Sequence, residues 1–166
     1  MYIDDEKTNC SFDRGNQRFN YRVGAIIIED GCVLLATNES ADYYYSVGGR
    51  VHLGETAYSA ALREVKEETG VDYEVDRLAF VHENFFVESC GVNKGKEFHE
   101  IAMFFVMKPI GKKQVMPEGY CIDGKERLEW VPIDQLKDLR VYPTFLSGRI
   151  ADLPTTPENI ITDERV

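Results

Sequence analysis

The sequence lacks any apolar run of the roughly 18 residues that a membrane-spanning helix requires. It also lacks a basic leader, because residues 1–6 are acidic where a signal peptide would be basic. We therefore expect a cytoplasmic protein that does not contact a membrane. The 166 residues contain no internal repeat and no low-complexity tract, so a single folded domain is the expectation.

Positive charge is also scarce. The chain has 19 Lys and Arg against 29 Asp and Glu, which gives a formal net charge of -10. Binding to a nucleic-acid backbone relies on clustered basic side chains, so a nucleic-acid duplex is excluded as the main partner. An acidic protein can still bind a polyphosphate if divalent cations screen the repulsion.

Cysteines are few and widely spaced. No C-x-x-C pair indicates a zinc or redox site, and no dense spacing indicates a disulfide framework. Reduced thiols in the cytosol are the expectation. The four are Cys10, Cys32, Cys90 and Cys121.

Strand and helix patterns alternate along the chain, which predicts an α/β fold in which helices cover a central mixed β-sheet, an α/β/α sandwich. Apolar runs at 23–28 and 32–36 flank a Glu-Asp-Gly turn and predict a hairpin. Further strands are expected at 43–47, 73–87, 98–107 and 128–131, and short helices at 132–139 and 143–150. The expected organisation is an N-terminal extension at 1–19, a domain at 20–152 and a C-terminal tail at 153–166.

One helix is predicted between Thr56, a suitable N-cap, and Gly70, where glycine ends a helix. Its apolar residues recur at helical spacing and predict one buried face. That face consists of Tyr58, Ala61, Leu62, Val65 and Thr69.

Three glutamates of this helix, Glu64, Glu67 and Glu68, are spaced i, i+3 and i+4 and therefore share one stripe. Such a cluster is repulsive unless cations neutralise it, and carboxylates are the ligands that Mg²⁺ or Mn²⁺ prefers. Taken alone, a charge run is more often a solvated helix face. The stripe by itself leaves both interpretations open.

The residues around the stripe resemble the signature of the Nudix hydrolase family, which includes MutT-like pyrophosphohydrolases. The signature specifies G, five residues, E, seven residues, R-E, an aliphatic residue, any residue, E-E, any residue, G and an aliphatic residue. Agreement at seven such Gly, Glu or Arg positions has accidental odds on the order of one in a million or less. The matching residues are Gly49, Glu55, Arg63, Glu64, Val65, Glu67, Glu68, Gly70 and Val71.

The resemblance implies a Mg²⁺-dependent hydrolase, with Mn²⁺ as an alternative, that cleaves the diphosphate of a small nucleoside-diphosphate compound. Glu64, Glu67 and Glu68 would hold the metal, and Glu55 and Arg63 would form a supporting salt bridge. Family members often recruit another acid outside the signature as metal ligand or general base, and Glu100 is the best candidate here, with Glu83 and Glu97 behind it. The expected substrate-binding residues are Gly48, Gly49, Arg50 and His52, while Gly54 and Gly70 would shape the loop and the helix end.

Two rival functions remain at this stage. A catalytically inactive Nudix-like sensor that only binds a nucleotide would usually have lost one of the signature glutamates. An isomerase of the isopentenyl-diphosphate kind would need a cysteine and a glutamate, and neither Cys32 nor Cys90 lies in a recognisable version of that site. A homodimer is a candidate assembly by family analogy alone. The sequence names no physiological substrate.

Overall fold

The computed structural model describes residues 8–39, 42–89, 91–114, 119–121 and 124–165. The strands of this part of the chain are β1 (Ser11–Arg14), β2 (Gln17–Ile26), β3 (Ile28–Glu29), β4 (Cys32–Asn38), β5 (Tyr44–Arg50), β6 (Val75–Val87), β7 (Glu97–Met107), β8 (Gly119–Cys121), β9 (Gly124–Pro132), β10 (Val141–Tyr142) and β11 (Glu158–Glu164). The helices are α1 (Ala57–Thr69), α2 (Leu146–Arg149) and two 3-10 helices, Gly91–Asn93 and Ile133–Asp138. None of the helices described here has the length and apolar character needed to cross a membrane.

The strands form one mixed sheet in the order β11-β6-β7-β2-β5-β4-β9-β8. Strand β5 joins its two halves. The second half of β5 pairs with β2, where Gly49 lies opposite Val23 and Gly48 opposite Gly24, and its first half pairs with β4 and β10. The sheet changes partners along this one strand, so β5 lies at the centre of the fold.

Helices cover both faces of the sheet, which confirms the predicted α/β/α sandwich. Helix α1 packs on one face and buries Ala60 and Val65 against strand residues such as Val47. On the other face, Leu136 of the second 3-10 helix and Leu146 of α2 pack over the sheet. The second helical layer is thin because its members are short.

The β3–β4 hairpin is confirmed. Asp30 and Gly31 both have positive φ angles, 48° and 70°, which is the backbone of a two-residue turn that matches strand twist. Strand β2 extends further towards the N-terminus than the apolar run predicted, because β7 pairs with it along its whole length.

Helix α1 begins and ends where the sequence predicts. The Thr56 hydroxyl accepts a hydrogen bond from the Ser59 N–H at 3.1 Å, and Gly70 closes the helix with a φ of 70°. The predicted buried face is wrong at Tyr58, whose side chain is 50% exposed. The helix is rotated so that Ala57 and Glu64 are buried instead, because small alanines bring it close to the sheet.

Both ends of the described chain belong to the sheet. Strand β1 pairs with β2, within the region expected as an extension, although residues 1–7 lie outside the described residues. The expected tail contains β11, which pairs with β6 in parallel over seven residues. Sequence periodicity could not reveal this pairing because it joins segments about 80 residues apart. Cys90 also lies outside the described residues.

His82 ties β11 to the core. Its side chain is only 2% exposed, and its Nε2 lies 2.9 Å from the Thr162 hydroxyl of β11. The rings of Phe104 and Phe145 pack against it. Burial lowers the pKa of His82 to about 4.

The unfolded chain therefore binds a proton at His82 more readily than the folded chain does. Stability is fully present above about pH 6.5 and is lost as the pH falls towards 4. Urea unfolding at pH 7.5 and pH 5.0 should reveal a loss on the order of 2 kcal/mol from this residue. A His82→Leu variant should lack that loss; an unchanged pH dependence in the variant would refute the assignment.

Candidate active site

Glu64 of α1 lies directly against Gly49 of β5. A Cβ atom at Gly49 would overlap the Glu64 carboxyl group, so no other residue fits there without moving the acid. The Glu64 side chain is 6% exposed. Gly48 and Gly49 were expected in a loop, but they are strand residues, and their missing side chains let α1 place its carboxylates on the strand.

Glu68 follows one turn later and contacts the same strand. Its Oε1 accepts a hydrogen bond from the Gly48 N–H at 3.0 Å. Burial raises the pKa of Glu68 well above its usual value, and the carboxylates of Glu126 and Glu64 raise it further, whereas the Gly48 N–H and Arg22 lower it. The site thus holds a buried acid among other acids.

Glu126 of β9 is the acid that sequence reasoning missed. Its Oε1 accepts a hydrogen bond from the Tyr45 hydroxyl at 3.1 Å. Burial raises the pKa of Glu126, the Tyr45 hydrogen bond lowers it, and the nearby Glu64 raises it again. We call Glu64, Glu68 and Glu126 the acid cluster.

Strand alternation offered one signal for Glu126. In β9, Leu128 and Trp130 pack against the α1-side core, and Glu126 precedes Leu128 by two residues, so all three share one face. The sequence indicated the strand only from residue 128. Nothing in the sequence alone indicated that this strand lies beside β4 and hence near α1.

Arg63 holds the loop that leads into α1. Its Nε and Nη2 donate to the Glu55 carboxylate at 2.9 and 3.0 Å, and Nη2 also donates to the Arg50 carbonyl at 3.0 Å. The Arg63 hydrogen bonds lower the pKa of Glu55. Glu55 in turn accepts from the His52 N–H at 3.0 Å, so the ion pair implied by the family resemblance fixes both ends of the loop.

The remaining predicted residues border this network. Gly54 turns the loop with a φ of 84°, and Gly70 ends the helix. Residues before β1 hold the loop from outside, because the Leu53 N–H donates to the Thr8 carbonyl at 2.6 Å and the Cys10 N–H to the Val51 carbonyl at 2.8 Å. Arg50 and His52 therefore have fixed backbones beside the acid cluster.

The donor chemistry of the acid cluster suits a hard divalent cation. Within the described ranges, however, no three Asp, Glu, His or Cys side chains converge into a ready metal-binding group. Arg63 explains this, because its Nη1 lies 2.7 Å from Glu64 and 3.2 Å from Glu67 and draws both carboxylates towards itself. Glu67 is the most exposed of the three signature glutamates on α1.

Glu100 lies on β7 and contacts side chains of the neighbouring strand β2. Its Oε2 accepts a hydrogen bond from Asn20 at 2.7 Å and lies 3.8 Å from Arg22. Strand β7 lies between β6 and β2, so Glu100 is on an interior strand of the sheet and not on an edge strand. Glu126 helps to raise the pKa of Glu68, whereas Glu100 lies beside Arg22, which lowers the pKa of Glu68.

A cavity of about 520 Å³ lies elsewhere, over β1, β2 and β7. Phe19, Tyr21 and Met103 line it, and the acid cluster does not. The acids instead lie where α1, β5 and β9 meet, so this apolar cavity is separate from the acid cluster.

A family model described as the NUDIX domain matches residues 18–147, more than three-quarters of the chain. The chain belongs to the Nudix family. The matched region contains the loop, the helix and all members of the acid cluster, so the signature and its surroundings form one Nudix domain.

Individual relatives match over shorter stretches. Nudix hydrolase 10 of Arabidopsis thaliana is 43% identical over 70 residues, which cover 36% of this chain and 25% of that protein. Dihydroneopterin triphosphate diphosphatase of Escherichia coli is 41% identical over 49 residues, covering 30% of this chain and 33% of the relative. These matches span no more than about a third of either relative.

Solved structures agree in fold. A MutT protein from Methanosarcina mazei aligns with a TM-score of 0.59 at 18% identity, over 80% of this chain and 91% of its own. An ADP-ribose pyrophosphatase from Streptococcus suis aligns with a TM-score of 0.56 at 15% identity, over 86% and 98%. At these identities the likeness establishes the Nudix fold and nothing more specific.

The contact between Gly49 and Glu64 predicts how adding a methyl group at position 49 changes stability. Gly49→Ala should displace the Glu64 carboxyl group from its 2.7 Å contact with Arg63 and lower the free energy of unfolding by about 1 kcal/mol, because a side-chain end moves and the backbone does not. Urea unfolding measures the change.

Gly148→Ala is the matched control. Nothing lies within 4 Å of a Cβ at Gly148, and its φ is not positive, so stability should stay unchanged or rise by up to about 1 kcal/mol. Equal behaviour of the two variants would contradict the close contact between Gly49 and Glu64.

Proposed function

We propose that this Nudix protein is a divalent-cation-dependent hydrolase that cleaves the diphosphate of a small nucleoside-diphosphate compound. The observation that carries the proposal is the half-buried carboxylate of Glu68, which lies near Glu126 and the buried Glu64 and accepts a hydrogen bond from the Gly48 N–H. Burying several acids together is costly without a cation to neutralise them. Because this arrangement lowers stability when no cation is bound, metal binding explains it better than a structural role does.

Glu64, Glu68 and Glu126 would hold Mg²⁺ or Mn²⁺, and Glu67 would join when a cation competes with Arg63 for its carboxylate. The bound cation would screen phosphate charge and acidify a water molecule. A carboxylate in or near the acid cluster would accept the proton of that water.

Other residues position the substrate. Arg63 and Glu55 keep the loop rigid, so that Arg50 and His52 can contact phosphate oxygens from a fixed backbone. The name of the Escherichia coli relative, a triphosphate diphosphatase, fits a phosphoanhydride substrate. A diphosphate attached to a nucleoside is the class we propose for this chain.

The sensor alternative has less support, because every signature glutamate is present and Glu64, Glu68 and Glu126 lie near one another. The isomerase alternative is also disfavoured. Cys32 is buried in β4, where it pairs with Pro132, and is not among the residues of the acid cluster.

The deciding experiment measures phosphate and mononucleotide release from nucleoside triphosphates, ADP-ribose, dinucleoside polyphosphates and sugar nucleotides. Each reaction is run with Mg²⁺, with Mn²⁺ and with EDTA. Cation-dependent release from at least one class is the expected result. If folded protein binds nucleotides but releases no phosphate or mononucleotide from any of these compounds, the sensor alternative is favoured instead.

Glu68→Gln separates catalysis from folding. We expect turnover to fall about a hundredfold or more through loss of a metal ligand. Without metal, the thermal midpoint at pH 7 should stay equal or rise, because glutamine leaves no charge to bury.

The control for this variant is Glu74→Gln, which removes an exposed acid paired with Lys108 at 2.8 Å. Its turnover should match the wild type. Near-normal turnover of Glu68→Gln at saturating Mg²⁺ would refute the metal role of Glu68.

A further inference from the structure

Three tyrosines form a continuous aromatic surface beside the acid cluster. Tyr43 precedes β5, Tyr45 lies within β5, and Tyr142 lies opposite Tyr45 in the parallel strand β10. The Tyr43 and Tyr142 ring centroids are 5.2 Å apart at an interplanar angle of 84°, and those of Tyr43 and Tyr45 are 6.2 Å apart. We call these three residues the tyrosine triad.

The tyrosine triad and the acid cluster share one face of β5. Alternate strand residues point to the same side, so Tyr43 and Tyr45 lie on the side of Val47 and Gly49, where Gly49 meets Glu64. Tyr45 belongs to both groups, since its hydroxyl donates to Glu126 at 3.1 Å. From Tyr45 to Gly49 the strand advances about 13 Å, a span suited to a nucleotide lying along it.

The surface remains open to solvent. Tyr142 is 36% exposed, and Tyr43 and Tyr45 are half-buried. Tyr44, between the last two, points to the opposite side, where its hydroxyl donates to Glu129 at 2.7 Å. Tyr44 therefore does not belong to the aromatic surface that the triad forms next to the acids.

Arg140 adds a planar cation to this surface. Its guanidinium carbon lies 5.9 Å from the centre of the Tyr142 ring, and its Nη1 is held by Asp42 at 2.6 Å. Aromatic rings with a nearby arginine are the groups that stack on planar heterocycles.

We propose that the tyrosine triad binds the ring of the substrate by stacking, and so selects diphosphates that carry a nucleobase or a similar heterocycle. This rests on the proposed function in placing the diphosphate at the acid cluster. Stacking depends on ring area more than on hydrogen-bond pattern, so the triad should prefer purines to pyrimidines without strict discrimination between bases.

The test measures binding and turnover separately. Binding of AMP, GMP and UMP is measured by titration calorimetry, without any reaction. The variants are Tyr43→Ala and Tyr142→Ala, with Tyr142→Phe to keep the ring. Tyr58→Ala is the matched control, because Tyr58 is an exposed tyrosine that contacts Phe105 edge-on and lies outside the triad.

We expect the alanine variants to bind AMP roughly tenfold more weakly, because each lacks an aromatic ring on which the base stacks. Tyr142→Phe and Tyr58→Ala should bind like the wild type, and UMP should bind more weakly than AMP and GMP. With a hydrolysed nucleotide, KM should rise in the alanine variants while kcat stays within a few-fold. Thermal melting checks that each variant is folded.

Two results would overturn the proposal. One is mononucleotide binding that is the same in the wild type and both alanine variants; the other is a wild type that binds no mononucleotide. Neither depends on turnover, so the proposal can survive a failure of the hydrolase assignment. Conversely, cation-dependent hydrolysis with unchanged KM in the variants would retain the hydrolase and reject the triad.

Discussion

The contact between α1 and β5 is the constraint on which the rest of the site depends. Gly48 and Gly49 remove side chains from the strand, and Glu64 and Glu68 occupy the space and the backbone N–H that this exposes. The helix must lie close to the sheet for this to happen, which its buried alanines permit. Residues that would usually be solvated are held together inside the fold, at an energetic cost that a bound cation would offset.

Strand β5 then connects this contact to its surroundings. Its second half pairs with β2 and carries the two glycines, while its first half carries Tyr45, which reaches Glu126 of β9. Arg63 and Glu55 fasten the loop between β5 and α1. The acid cluster, the loop fixed by Arg63 and the tyrosine triad are therefore connected through a single strand.

The local parts of this arrangement could be read from the sequence. The signature spacing, the Thr56 and Gly70 helix ends and the hairpin at Asp30 and Gly31 depend only on neighbouring residues. Glu126 and strand β11 could not be predicted in the same way, because each acquires its place by pairing with a distant strand. Glu100 was a reasonable candidate for the extra acid, yet its strand brings it to Asn20 and Arg22.

The most direct test of this account is to determine whether Glu126 or Glu100 contributes to cation binding. Mn²⁺ binding is measured by titration calorimetry for the wild type, Glu126→Gln and Glu100→Gln at the same pH. The account predicts that Glu126→Gln weakens Mn²⁺ binding about tenfold or more, and that Glu100→Gln leaves it nearly unchanged. The opposite order, or equal affinities in all three proteins, would contradict it.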